Sequence, residues 1–412
     1  MASTIAAITT GVGGVVTTAD ASGNLSLLSG PTTVAAITST GVAVTGTLSA
    51  SGAVSGTTGT FSGAVTSTDS LNTPNTFGFK NRIINGGMVI DQRNAGASVT
   101  PTAHAYTLDR WYAVMSQASK YSVQQTATAP EGFINSLKVT SLSAYTVGAS
   151  EYFQITQQIE GLNVSDLGWG TANAKTVTLS FQVYSSLTGT FGGVIANGTF
   201  NRSYPFSYSI PVANTWTTIS ITIAGDTSGT WLTTNGVGIY TMFSLGSGAT
   251  VSGTSGAWVG GGYRSATGAT SVVGTSGATF YITGVQLEKG STATSFDFRD
   301  YGRELAMCQR YYQAFTPTYS PTFVGYTGNT DTRGSGSLLQ TMRATPTMAS
   351  TAVWTALIQG NTAVGLNIAV TPTLNPVSTT HWGAAVQISS SYGTLVTWTA
   401  QLSQPITASA EL

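Results

Sequence analysis

"TVTLSFQVYSS" (residues 176–186) sets Val177, Leu179, Phe181 and Val183 on alternate positions, with Thr, Ser and Gln between them. A period of two is the mark of a strand with one face on a core and the other toward water. The same alternation returns in "TWTTISITIAG" (215–225), "GVGIYTMFSLG" (236–246) and "ATFYITGVQLEKG" (278–290). Clusters of Gly, Asn, Asp, Ser and Thr separate these runs, which is how an antiparallel sandwich punctuates its strands. The pattern predicts an all-β protein whose residues 80–300 form one central, jelly-roll-like β-sandwich.

Upstream the texture changes. Residues 1–79 hold two charged residues, Asp20 and Asp69, and no aromatic ring before Phe61. "AAIT" occurs at 6–9 and 35–38, and "SGAV" at 51–54 and 62–65. Val42, Val44, Leu48, Val54, Phe61 and Val65 are spaced by Gly, Ser and Thr, so short strands and glycine turns are expected. Units this small bury little alone and lean on neighbours. Identical chains wound about one axis would supply those neighbours, so an intertwined homotrimeric shaft is predicted over 1–79. The alternative is a flexible Gly/Ser/Thr linker.

Downstream, "YGRELAMCQRYYQAF" predicts one linking helix over 301–315, with Leu305, Cys308 and Tyr312 as its apolar stripe and Pro317 and Pro321 beyond its end. Cys308 is expected to be a buried small hydrophobe. Residues 316–412 are rich in Thr, Val, Ile and Trp and predict a small C-terminal β tip domain.

Composition narrows the function. Fifteen basic and fifteen acidic residues cancel, and only 7% of the chain is charged, against roughly 25% in ordinary soluble domains. No electrostatic case exists for nucleic acid or an anionic membrane surface. No run of about 18 apolar residues predicts a membrane span, and "MASTIAAITTGVGG" lacks the pattern of a secretion signal. With one cysteine there is no intrachain disulfide. Two histidines, His104 and His381, leave no His- or Cys-based triad. No metal-ligand spacing or phosphate loop occurs, and no cofactor is expected; a structural Ca²⁺, which needs only scattered oxygens, stays open.

Two carboxylate pairs are candidates for cleaving a glycosidic bond, Glu151 with Glu160 and Asp297 with Asp300. Acids are so scarce that each is expected to have a structural partner instead, and the protein is read as a non-enzyme. Asp109 and Arg110 beside Trp111 suggest a buried ion pair, and Arg82, Asp91 and Arg93 a similar polar knot. Binding is better supplied, because an aromatic ring lies flat on a pyranose while a few polar groups fix its hydroxyls. Trp169 and Trp231 sit in turn-rich stretches, and Trp258 and Tyr263 lie five residues apart with Arg264 adjoining, as a surface platform or as core. Trp111 and Trp216 fall in strand-like alternations and are expected in the core. In the tip, His381 with Trp382 suits a contact loop or a trimer interface, and Tyr392 marks another turn. The glycan-binding candidates are therefore Trp231, Trp258, Tyr263, Arg264, His381, Trp382 and Tyr392.

"NRIINGGMVIDQRN" (81–94) with "YTLDRW" (106–111) resembles a segment of bacteriophage tail-fibre and related virion proteins. "TGVQLEKGSTATSFDFR" (283–299) and "YGRELAMCQRYYQ" (301–313) are similar to the segments that lead out of the sandwich in that family. "TTADASGNLSLLSGPTTVAAITSTG" (17–41) looks like the fibre-base repeats of tailed phages of marine and cyanobacterial hosts. The resemblance implies a homotrimeric tail fibre, made in the host cytoplasm and assembled into the virion. A tail, neck or baseplate protein would hold its N-terminus, and its β domains, one of them similar to a carbohydrate-binding module, would meet a host surface polysaccharide. The shortness of the shaft suggests the alternative, a structural neck, head or baseplate fibre without a receptor. A polysaccharide depolymerase is the third reading.

Overall fold

The computed structural model describes residues 25–29, 32–38, 41–44, 80–315, 322–325, 331–350, 354–358, 366–370, 373–387, 396–401 and 406–412. Two compact units are separable, Met1–Leu71 and Asn72–Leu412. The described part of the first is a three-stranded antiparallel sheet of β1 (Leu25–Ser29), β2 (Thr32–Thr38) and β3 (Gly41–Val44). On β3, Val42 and Val44 are 62% and 40% exposed, apolar side chains that their own chain leaves uncovered. The "SGAV" repeats lie outside the described residues.

The second unit opens with the sandwich. Its strands are β4 (Ala105–Leu108), β5 (Trp111–Met115), β6 (Tyr121–Thr126), β7 (Ser136–Ser141), β8 (Tyr152–Glu160), β9 (Val177–Ser185) and β10 (Gly189–Asn197). They continue as β11 (Arg202–Ile210), β12 (Thr217–Ile223), β13 (Val237–Ser247), β14 (Ser252–Gly253), β15 (Val259–Gly260), β16 (Ser265–Ala266) and β17 (Thr279–Lys289). One sheet has the order β15-β11-β10-β13-β8-β5-β4 and the other β12-β9-β17-β7-β6. The alternation in 176–186 does as expected: Val177, Leu179, Phe181 and Val183 are buried in the core between the sheets. Phe181 meets Phe243 edge-on at 5.0 Å, and Trp111 is fully buried beside the same ring. Each such side chain removed from water is worth roughly 1.5–3 kcal/mol.

The segment 81–94 clasps the sandwich. The Asn81 side chain donates to the Val285 carbonyl and accepts from the amides of Ile83 and Leu287. Asn85, in the left-handed region at φ 57°, donates to the carbonyls of Ile90 and Asp109 and accepts from the Ile90 amide. Its own carbonyl takes the Trp111 indole N–H. Beside it, a Cβ on Gly86 would stand 2.2 Å from the Val285 oxygen, so only glycine admits this approach.

The expected ion pair and the expected polar knot are both re-partnered. Asp109 and Arg110 form the two-residue turn between β4 and β5, with Arg110 at φ 69°. The turn sends their side chains to different partners. Asp109 accepts from the backbone and side-chain amides of Gln92, while Arg110 pairs with Glu411. The Arg82–Asp91–Arg93 knot does not form either: Arg82 pairs with Asp166, Arg93 with Glu411, and Asp91 accepts the amides of Asn94 and Gly96.

The helix α1 runs over Tyr301–Gln309, shorter than expected. Asp300 caps it by accepting the Arg303 amide, and Cys308 is fully buried. Tyr312–Phe315 is a strand, β18, paired with Ile406–Ser409, which pairs in turn with Thr347–Ser350. The run Tyr-Tyr-Gln-Ala-Phe finds a strand partner there, and Tyr312 covers the Arg93 guanidinium at 3.6 Å rather than extending the helical stripe. A further seven-stranded sheet lies within residues 322–401.

Candidate functional site

The outward face of the seven-stranded sheet follows from strand parity. On β8, Phe153, Ile155 and Ile159 face the core, so Tyr152, Gln154, Thr156 and Gln158 face out. On β13, Ile239, Phe243 and Leu245 face in, leaving Tyr240 and Met242 on the other face, where Met242 is itself buried. Register then lines up one row across the sheet: Tyr106, Tyr112, Thr156, Met242, Val194 and Pro205. Val194, Ala196 and Met242 form a small satellite cluster under Phe200, Tyr240 and Tyr263.

Rings crowd this face. Tyr106 and Tyr112 are 4.6 Å apart, His104 stacks on Tyr112 at 6.3 Å, and Phe200 lies 4.4 Å from Tyr240. Phe200 reaches its place from a turn in which it holds φ 56°. Arg264 is set among them, its guanidinium 4.0 Å from the Phe200 centroid and 4.7 Å from that of Tyr152. Partial burial lowers the Arg264 pKa from its ordinary value, against the pull of Tyr152 and Tyr240. The guanidinium contacts the Met242 sulfur at 4.0 Å, and no carboxylate among the described residues pairs with it. A cation held by ring faces, with its N–H donors free of oxygen partners, is a ready binder of hydroxyl or carboxylate oxygens. Nearby, the Thr156 hydroxyl and the Gln154 side-chain oxygen, both buried, have no partner among the described residues.

Tyr263 and Arg264 thus meet on one face, as a site would require, but the expected partnership of Tyr263 with Trp258 fails. Trp258 joins Trp169 and Trp231 in an edge-to-face trio with centroids 4.7–5.3 Å apart. Each indole N–H is spent on a backbone carbonyl: Trp169 on Lys175, Trp231 on Ser228, Trp258 on Ala224. Arg202 holds Asp226 with two 2.7 Å bonds in the same loop region. Trp231 and Trp258 are therefore loop anchors, since their N–H groups are engaged and rings pack against rings. Trp169 is buried, not exposed.

Trp382 is fully buried against Phe315, 6.2 Å away, and leaves the candidate set; only His381, hydrogen-bonded to Thr380, stays exposed. Tyr392 lies outside the described residues. Trp216 is half-buried rather than core, because it stands at the edge of the five-stranded sheet with Tyr184 and Tyr281 at 5.5 and 6.3 Å. That second aromatic row has its neighbouring Gln182 already engaged by Thr218.

Glu151 and Glu160 are not spaced as a glycosidase pair. Glu151 and Glu160 flank β8 at opposite ends, roughly 30 Å apart at the rise of a strand, whereas glycosidase pairs stand about 5–9.5 Å apart. Glu160 is engaged by Arg310 and Tyr311, and Glu151 by Tyr145, Gln117 and the Gly148 amide. Asp300 caps the helix and Asp297 lies 3.6 Å from Arg299. Among the described residues, no group of three or more His, Cys, Asp or Glu converges as metal ligands.

No protein-family model matches the chain. No curated protein matches it either. Several solved structures are similar to about half of it. The enzymatically active domain of bacteriophage CBA120 tailspike protein 4 matches at 13% identity and a TM-score of 0.29, over 51% of this chain and 21% of that one. TmCBM61, solved with β-1,4-galactotriose, matches at 10% and 0.26, over 51% and 99%. The family 11 carbohydrate-binding module of a Clostridium thermocellum cellulosomal cellulase matches at 15% and 0.26, over 48% and 99%. This chain spans about a fifth of the tailspike's length. At such TM-scores the likeness says nothing of a shared site, and the reading of the face rests on its own geometry.

Proposed function

We propose that the protein is a homotrimeric fibre of a tailed-phage virion, held to the particle by residues 1–79. In this reading it binds a host-surface glycan non-covalently through the outer face of its seven-stranded sheet. The observation that carries the binding role is Arg264: a half-buried cation with no oxygen partner among the described residues, walled by Tyr152, Phe200 and Tyr240. Aromatic faces suit the C–H faces of sugar rings, and the guanidinium suits hydroxyls or an acidic sugar's carboxylate. Glu151 and Glu160, each engaged and set at opposite ends of β8, favour a binder over a hydrolase.

Support for the assembly comes from the N-terminal unit, where Val42 and Val44 are uncovered within one chain. Three copies on one stalk raise the avidity of modest sites through effective concentration. The virion assignment rests on the sequence resemblance of residues 81–94 and 283–313. The alternative is a structural fibre on neck, head or baseplate without a dedicated receptor.

The test is binding of the purified full chain to polysaccharide from susceptible cells, with Arg264→Ala and Tyr240→Ala as variants. Loss of charge-assisted bonds worth about 1.5–3 kcal/mol predicts roughly 10- to 100-fold weaker binding for Arg264→Ala. Unchanged binding in both variants, with loss on Trp216→Ala, would move the site to the other sheet. Binding-competent protein that fails to block phage adsorption would favour the structural-fibre alternative.

A further inference from the structure

A cavity of about 480 Å³ opens beside the point where the chain enters the sandwich. One wall is the loop carrying Phe133 and Ile134, and the other is the stretch carrying Phe296, Phe298 and Tyr301. The three phenylalanine rings interlock with centroids 4.8–5.3 Å apart. A Cβ on Gly284, at φ 61°, would lie 2.7 Å from the Phe133 ring, so this wall stands only over glycine. At the rim, Ile134, Phe298 and Tyr301 are 74%, 65% and 63% exposed.

Most polar groups of this cavity are already engaged. Arg299 donates to the carbonyls of Ile83 and Asn81 and pairs with Glu304, which also accepts the Asn85 amide. The Asn81 side chain is consumed by Val285, Ile83 and Leu287. A sugar seated here would leave most of its hydroxyls without partners, at a cost per group of about 1–3 kcal/mol. An apolar protein surface would not. The two walls also carry opposite exposed charges: Glu131 borders the first and Arg303 the second, and neither has an ion-pair partner among the described residues. Complementary charge on two different walls suits a head-to-tail contact, which closes into a ring under cyclic symmetry.

We propose that this cavity is the contact between neighbouring copies of the chain. The Ile134 loop of one copy packs on the Phe298–Tyr301 wall of the next, and Glu131 meets Arg303 across the joint. The inference rests on the homotrimer reading. Its location agrees with that reading, because Asn81 lines the cavity and Lys80 bonds the Ser295 carbonyl. Asn81 follows the residues read as the shaft by only two positions in sequence, which is the link between this cavity and the homotrimer reading.

The test is the full chain carrying Glu131→Cys and Arg303→Cys, oxidised with diamide and run on a non-reducing gel, with light scattering on the same sample. Cys308 is fully buried, and burial pushes its thiol well up, so it gives little background. The expected result is a solution mass three times the 42.3 kDa of one chain, with covalent dimers and trimers on the gel. Adding Phe298→Ala should lower the cross-linked fraction several-fold. A trimer in solution that runs as single chains on the gel overturns this contact and leaves the homotrimer standing. A monomer in solution overturns both.

Discussion

Glu411, next to the last residue, should be among the most costly side chains to neutralise. Its carboxylate pairs with Arg93 at 2.6 Å and with Arg110, whose side chain is 1% exposed. Arg110 also donates to the Gln158 carbonyl and lies 3.6 Å over the Tyr311 ring, while its Nε has no partner. Burial pulls the Arg110 pKa down, yet Glu411, Tyr106 and Tyr311 together hold it above its ordinary value. Glu411→Gln keeps the shape and removes the charge, leaving a buried guanidinium without its counter-ion. Breaking a buried pair costs about 3–5 kcal/mol, and the amide oxygen retains one bond, so the lower end applies. At roughly 2–4 °C per kcal/mol for a domain of this size, Tm should fall by about 6–12 °C. Calorimetry on the full chain reads this directly. A fall below about 2 °C would show that Arg110 finds solvent or another acceptor, and that the C-terminus is not a lock on the sandwich. Coupling gives a second check: Arg110→Met combined with Glu411→Gln should cost less than the two single changes added together.

Burial pushes the Asp109 carboxyl up to about 6, against the opposing pull of Arg93 and Gln92. The folded state then holds this proton more tightly than the unfolded chain. Its contribution to stability is greatest below about pH 4 and is lost as pH rises to about 6, a change on the order of 2–3 kcal/mol. Urea unfolding from pH 4 to 7 should show that decline in the wild type and a flatter profile in Asp109→Asn; equal slopes refute the assignment. In the tip, Trp382→Ala should cost about 3–5 kcal/mol by emptying a fully buried site. His381→Ala, at an exposed position, should stay within about 0.5 kcal/mol. A thermal melt that ranks them the other way would remove Trp382 from the core.

The sandwich was legible because strand alternation is a local signal. Val177 to Val183 and Ile239 to Leu245 declare their inward faces within a few residues, and the same parity assigns Tyr240 outward once the strand is granted. The site was half legible. Tyr263 and Arg264 were found from an aromatic beside a cation in a glycine-rich turn, but Tyr112, Tyr152 and Phe200 come from three other segments and meet only through register and a turn. Trp169, Trp231 and Trp258 were hard to place for a shared reason. A Trp in a turn reads as exposed, yet Trp169, Trp231 and Trp258 occupy three turns that fold onto one another. Ion pairs were the least legible, because Arg93 and Arg110 reach partners 318 and 301 residues away.

Those distant pairs give the low charge content a physical meaning. Arg82 with Asp166 ties the entry segment to the loop after β8, and Arg310 with Glu160 ties the region after α1 to the end of β8. Arg93 and Arg110 share Glu411 and so fix the C-terminal end to the segment that begins the sandwich. With the Arg299–Glu304 pair at the start of the helix, most of these charges act where chain segments far apart in sequence must be joined. Among the arginines of residues 80–300, Arg264 alone has no ion pair among the described residues, and it sits among rings, whereas Lys120, Lys138 and Lys175 also lack one. Under the proposed function, this half-buried arginine, set on ring faces with no carboxylate among the described residues, is the group available to a partner outside the chain. Arg264→Lys is therefore informative beyond loss of charge. It keeps the positive charge but removes the planar fork that lies on the Tyr152 and Phe200 faces. If binding depends on that fork, Arg264→Lys should weaken it nearly as much as Arg264→Ala; if Lys restores wild-type affinity, the face supplies only a diffuse positive potential and the ring-walled geometry is incidental.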